Sequence, residues 1–196
     1  EIPVEAAADI RAKGNFETQR VLEIERTVQH DVIAFLTNMA EYIGPSSRFV
    51  HQGMTSSDLL DTALALQIKE AGQILRESLV ELLDAVELKA KEHQGTIMIG
   101  RSHGIHAEPT TFGLKLMVYW SALERGLRRL DAAQDEISYG QVSGAVGTFA
   151  HLDPAVEEET MKRLGLKVDP ASTQIIQRDR HAGWLGTVAG VALRAR

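Results

Sequence analysis

The segment Gly100-Arg101-Ser102-His103-Gly104-Ile105-His106-Ala107-Glu108-Pro109-Thr110-Thr111-Phe112-Gly113 gathers imidazole, guanidinium and hydroxyl groups between two long helical stretches. Histidine exchanges a proton near neutral pH more easily than any other side chain. A loop pinned between rigid elements is a usual place for chemistry. His103 is the first candidate. A lone loop histidine more often just bonds backbone, but Arg101, Ser102 and the glycines, which let backbone approach a ligand, favour function here. His106 either orients this segment or sits in the core.

A second polar knot, His51-Gln52-Gly53-Met54-Thr55-Ser56-Ser57-Asp58, lies at the other end of the intervening helix. Thr55-Ser56-Ser57 at a helix N-terminus suits a carboxylate or phosphate, because free N–H groups and the helix dipole attract anions there. Simple capping explains the same residues equally well. Gln29-His30-Asp31 are expected in mid-helix, with His30 off the apolar stripe and solvated or salt-bridged. Ser143-Gly144-Ala145-Val146-Gly147 lacks the lysine and preceding strand of a phosphate loop, so tight helix packing is its better explanation. The charged block Gln174-Ile175-Ile176-Gln177-Arg178-Asp179-Arg180-His181 fits a surface or a site. His103 and His106 are three apart, but neither a carboxylate nor a third histidine completes a metal set, and no metal or cofactor is expected.

Long helices must position these knots. Val21, Ile24, Val28, Val32, Phe35, Met39 and Ile43 fall on one helical face, and Gly44-Pro45 ends it. Leu60, Leu64, Ile68, Ala71, Leu75, Leu79, Leu82 and Val86 form an unbroken stripe. It predicts one helix from about Ser57 to about His93, roughly 55 Å long. Thr55 with Asp58 resembles a capping box, with Ser56 or Ser57 as the alternative cap. So long a helix needs partners along its length. Leu116, Trp120, Leu123, Leu127, Leu130 and Ile137 predict the next, from about Thr111 to Ser138. A short helix is expected from Pro154 to Leu164 and a final one from about Asp179. The fold class is all-α, an elongated helical bundle, with at most a short extended segment near Thr96-Ile99.

Composition bounds the rest. The 196 residues are 44% hydrophobic, enough for a sizeable core. A net charge of −6 without a basic block argues against nucleic acid as a partner. No run of about 18 apolar residues suggests a membrane span. There are no cysteines, which excludes disulfides and thiolate metal sites. The start Glu1-Ile2-Pro3-Val4-Glu5 is not a signal peptide and has no initiator Met, and Val191-Ala192-Leu193-Arg194-Ala195-Arg196 reads as helix without a stop signal. An internal piece of a longer protein is therefore expected.

Taken in order, these blocks resemble the adenylosuccinate lyase family of the fumarase/aspartase superfamily. The matching stretches are His30-Asp31-Val32-Ile33-Ala34-Phe35, Thr55-Ser56-Ser57-Asp58, Gly100 through Gly113, Ser143-Gly144-Ala145-Val146-Gly147-Thr148, and Ser172-Thr173-Gln174 through Arg178-Asp179-Arg180-His181. Relatives such as argininosuccinate lyase and fumarase share the Thr-Ser and Arg-Ser/Thr-His-Gly elements. They do not usually share the His-Ala-Glu-Pro-Thr-Thr-Phe-Gly extension or the Gln-Arg-Asp-Arg-His block.

The resemblance implies a β-elimination that releases fumarate from adenylosuccinate, giving AMP, and from the succinyl-carboxamide ribotide of purine biosynthesis. It places the general acid at His103. His30 would bind substrate and hold the catalytic histidine, with Gln29 and Asp31 flanking it in the substrate site. His51 matches another active-site histidine. Thr55 and Ser56 match the pair that holds a substrate carboxylate, and Gln174 a substrate-binding glutamine. Ser102 stands where the family commonly has Thr. The superfamily's Gly-Ser-Ser-x-Met-Pro-x-Lys-x-Asn loop, which carries the serine base, is nowhere in these residues. The implied organisation is the end of a first helical domain (1–54) and part of a central bundle (55–196), in a cytoplasmic homotetramer whose sites draw on three subunits. The implied partners are a small-molecule substrate and further copies of the chain, not nucleic acid or membrane. The rival readings are another superfamily lyase, such as argininosuccinate lyase, and a non-catalytic helical assembly module.

Overall fold

The computed structural model describes residues 2–193. The elements in chain order are α1 (Val4–Lys13), α2 (Thr18–Val28), α3 (Asp31–Ile43), a 3₁₀ segment (Gly44–Phe49), α4 (Ser56–Glu92), β1 (Ile97–Ser102), β2 (Ile105–Thr111), α5 (Phe112–Ile137), β3 (Tyr139–Gly140), α6 (Pro154–Leu164), β4 (Lys167–Val168) and α7 (Asp179–Ala192). The mostly helical architecture is the one the apolar periodicity predicts. The expected helical continuation through Arg194-Ala195-Arg196 lies outside the described residues.

The unbroken stripe yields an unbroken helix. The 37 residues of α4 extend about 55 Å. α5 runs back along it: the Gln134 side chain donates to the Lys69 carbonyl at 2.6 Å, and Arg76 pairs with Asp131 at 2.7 Å. Leu79, Leu83, Leu123, Leu130, Ala133, Ile137 and Trp184 form the main core of α4, α5 and α7. Gly72 does not break α4. It makes room, because a Cβ there would meet the Gln134 amide and approach the Trp184 ring within 2.6 Å. A second core joins Ala65, Val142, Met161 and Leu166 near the start of α4.

Three expectations change. The first apolar segment is two helices, α2 and α3, broken at Gln29-His30. Gln29 adopts a left-handed φ of 54° and His30 becomes the N-cap of α3, its Nδ1 accepting from the Ile33 N–H at 3.4 Å. Apolar spacing carries through this break because Val28 and Val32 are four residues apart in sequence, although Val28 is exposed and Val32 buried. A polar residue able to cap outweighs periodicity here. Second, the short extended segment is a full antiparallel hairpin of β1 and β2. Third, α1 arises where no stripe was read.

Two backbone bonds close the hairpin's base onto the helices. The Phe112 N–H donates to the Thr96 carbonyl and the Gly113 N–H to the His93 carbonyl, each at 2.9 Å. The connecting residues His103 and Gly104 have φ of 53° and 78°. Positive φ at both central positions is what a two-residue hairpin turn with right-handed twist requires.

Candidate functional site

The two polar knots sit at opposite ends of α4. At its N-terminal end, Asp58 is 1% exposed, and among the described residues no cationic side chain pairs with it. Its charge is met by N–H donors. Oδ2 accepts from the backbone N–H of Thr55 at 2.9 Å and of Gly144 at 3.1 Å. Oδ1 accepts from the Ser143 N–H at 3.1 Å and from the Gln141 side-chain amide at 3.4 Å. Charge-assisted bonds of this kind compensate burial of a carboxylate. Thr55 is the cap, as its spacing to Asp58 suggested, and Ser56 begins the helix. The N–H groups of Ser56 and Ser57 lie in the first turn, where no intrahelical carbonyl can accept them.

The glycine-rich connection after α5 is thus moulded onto a carboxylate. Packing still needs its glycines, since a Cβ on Gly140 would press on Met161 and Thr62. Thr62 also bonds both backbone groups of Gln141, at 3.0 and 3.1 Å.

The block after β4 joins the same end. The Gln174 side-chain amide reaches the Thr55 hydroxyl at 3.4 Å, across 119 residues of sequence. Ser172 and Ser143 share a hydroxyl contact of 2.9 Å. Asp61, buried one turn beyond Asp58, anchors this block. It accepts from the Ile176 N–H at 2.8 Å and from the two terminal guanidinium nitrogens of Arg178, at 2.9 and 3.0 Å. Beneath them Glu157 is buried and accepts from the Val142 N–H at 2.8 Å. Burial raises its pKa, the Val142 bond opposes that, and the neighbouring carboxylates Asp58 and Asp169 add to the rise.

The remaining candidates are not gathered here. His51 has a φ of 66° and lines a cleft of about 840 Å³ with Phe49, Met54, His151 and Leu152, where its Nε2 is buried without a partner. Gln29, His30 and Asp31 are exposed at the α2–α3 break, separated from the 3₁₀ segment by the 13 residues of α3, about 20 Å. His30 Nδ1 lies 3.3 Å from the Asp31 carboxylate. His103 is exposed at the hairpin tip, beyond the far end of α4, and His106 is exposed on β2. Within one chain the structure joins Thr55 with Gln174. It leaves His103 and the His30 group apart from them.

Sequence reasoning missed Gln141 and Asp61. Asp58 had a signal, the capping-box spacing to Thr55. Gln141 had none, because a glutamine in a glycine-rich connection reads as a linker. Among the described residues no cluster of three or more potential metal ligands occurs, and no helix is long and apolar enough to cross a membrane.

Comparison with known proteins gives a consistent picture. A family model described as Lyase matches residues 3–194. Adenylosuccinate lyase from Synechocystis sp. is 51% identical over 97% of this chain and 44% of that protein. Adenylosuccinate lyase from Bacillus subtilis is 47% identical with the same shares. The chain therefore spans under half the length of these relatives. A crystal structure of fumarate lyase from Mesorhizobium sp. BNC1 superposes with a TM-score of 0.91 at 31% identity, over 98% of this chain and 47% of that one. The 3-carboxy-cis,cis-muconate lactonizing enzyme from Pseudomonas putida gives 0.89 at 30% identity, over 98% and 46%. With a family match across nearly its whole length and a helical fold shared with these enzymes, the chain belongs to the lyase family.

Proposed function

We propose that this chain is the part of an adenylosuccinate lyase that supplies the carboxylate-binding donors and the general acid. The observation that carries this reading is the meeting of Thr55 and Gln174 at 3.4 Å beside the first turn of α4. These are residues that the resemblance assigns to the substrate carboxylate and to substrate binding. Removing a proton beside a carboxylate builds charge on that carboxylate. Donors fixed at a helix N-terminus stabilise the carbanion-like state as it forms. Thr55, Ser56 and the first-turn N–H groups fill that role. The departing nitrogen needs a proton, which His103 supplies as an imidazole. His30, flanked by Gln29 and Asp31, holds substrate and orients the acid, and His51 completes the histidine set.

The separation of these groups along α4 makes the site a joint product of several copies, with His103 of one subunit facing Thr55 and Gln174 of another. A homotetramer of helical bundles in the cytoplasm fits this arrangement. The division at residue 54/55 fits it too, with α1 to α3 preceding the bundle.

Fold alone does not choose the substrate, since structures with different substrates share it. The test is therefore substrate-resolved. The full-length protein that carries this chain, given adenylosuccinate or argininosuccinate, is expected to release fumarate from the first alone. Release from argininosuccinate overturns the assignment. The 196-residue chain by itself is expected to release none, since it lacks the serine-bearing loop motif.

A further inference from the structure

Asp58 and Gln141 close a ring of hydrogen bonds that the proposed chemistry does not itself use. The Thr55 N–H donates to Asp58 Oδ2, and Gln141 Nε2 donates to Asp58 Oδ1. The same Gln141 nitrogen donates to the Gln174 carbonyl at 2.8 Å, and Gln174 Nε2 returns to the Thr55 hydroxyl. The ring ties together three stretches of chain far apart in sequence: the start of α4, the glycine-rich connection and the block after β4.

Gln141 is fully buried, and its Oε1 has no hydrogen-bond partner. An unpaired buried carbonyl is costly, and such costs persist where the group does something else. Here the other end of the amide spends both its hydrogens on the ring. An apolar side chain of equal length would fill the space without leaving an orphan acceptor. Gln141 is therefore better explained by alignment than by core filling.

We propose that Asp58 and Gln141 are positioning residues that hold the Thr55 hydroxyl and the Gln174 side chain at one fixed separation, so that both meet the same substrate. Neither touches the substrate. Asp58 sets the Thr55 backbone and the Ser143-Gly144 turn, and Gln141 passes that constraint to Gln174. The carboxylate that the preorganised donors would meet is present in the ground state as well as in the transition state, so misaligning the donors weakens substrate capture as well as turnover.

This rests on the lyase reading above, and the experiment separates the two. In the full-length protein, Gln141→Met removes both donations while keeping the side chain's length. KM for adenylosuccinate is expected to rise about tenfold, the equivalent of one well-aligned hydrogen bond, with kcat falling by a smaller factor than KM rises. Leu79→Ala, in the core of α4 far from the ring, should lower the melting temperature and leave KM unchanged. A Gln141→Met protein that loses melting temperature but keeps its KM overturns the proposal. If Gln141→Met does not fold, Asp58→Asn keeps the shape but turns an amide toward two N–H donors, and its unchanged KM overturns the proposal equally. If the wild-type protein releases no fumarate from adenylosuccinate, the substrate reading fails and the ring is judged by hydrogen exchange. The Thr55 amide should then exchange at least tenfold faster in Gln141→Met, although Asp58 and Gln174 carry the hydrogen bonds between the two residues. Unchanged exchange overturns the ring.

Discussion

The two ends of α4 are built on opposite principles. At the N-terminal end, Asp58, Asp61, Gln141 and Glu157 are buried and hold three stretches of backbone in place. At the C-terminal end, a two-stranded hairpin carries His103 out into solvent, held mainly by its own ladder and by the bonds at its base. Donors that must meet a carboxylate precisely gain from a buried, satisfied network. A proton donor at a hairpin tip gains reach, and its final position depends on what it docks against. Under the proposed function, the carboxylate-binding half would be finished within one chain and the acid half by assembly.

Substitutions at the two ends sharpen that contrast. In the full-length protein, His103→Ala is expected to lower kcat by about 10²–10⁴-fold with little change in KM, because a general acid acts in the transition state. Thr55→Ala should raise KM about tenfold as well as lowering kcat, since its hydroxyl would meet a carboxylate present in both ground and transition states. Steady-state fumarate release on both variants checks the pair. Equal effects on KM and kcat at both positions would erase the distinction between the ends.

How much of this was legible in the sequence follows the same division. The long helices were plain, because stripes such as Leu60 to Val86 repeat at helical spacing, although Leu60, Leu64, Leu75 and Leu82 are exposed in the single chain and its buried side runs through Ala65, Leu79, Leu83 and Ala90. The capped start of α4 was legible through the Thr55–Asp58 spacing. The break at Gln29-His30 was not, because Val28 and Val32 keep helical spacing in sequence across it while a left-handed Gln29 and a capping imidazole end the helix. The hairpin was only partly visible. Its turn uses His103 at positive φ, where Asn or Asp before glycine gives the usual signal, and Pro109 weakens the strand pattern. Gln141 and Asp61 act on partners more than 30 residues away, at Gln174 and at Ile176 and Arg178. No local pattern reports such partners.

Between the two ends, α4 must stay continuous to keep their spacing. Gly72→Ala tests this at the point where Gln134 and Trp184 crowd the helix. Alanine favours helix, but its methyl group must displace the Gln134 amide from its bond to the Lys69 carbonyl and press on the indole. Overpacking of this kind costs about 1–3 kcal/mol. In a chain of this size that lowers the melting temperature by roughly 2–10 °C. Circular dichroism melts check it, and a higher melting temperature would mean that helix propensity outweighs the crowding.

The smallest expected effect probes the floor of the buried end. Glu157 is pushed up in pKa by burial first, with the Asp58 and Asp169 carboxylates adding to it against the Val142 N–H. A carboxyl whose folded pKa is raised contributes stability that is fully present below its unfolded value of about 4.3. That contribution is lost as pH rises through the folded value. Glu157→Gln keeps an oxygen for the Val142 N–H and cannot ionise. The variant should therefore melt higher than the wild type at pH 7 to 8, and the difference should shrink toward zero as pH falls below about 4. The same change should leave KM for adenylosuccinate nearly unaltered, because Val142 lies outside the ring that joins Thr55 to Gln174. A difference in melting temperature that stays constant across this range would show that Glu157 ionises as freely in the fold as in the unfolded chain. It would then be solvated, and the buried end less dry than its burial implies.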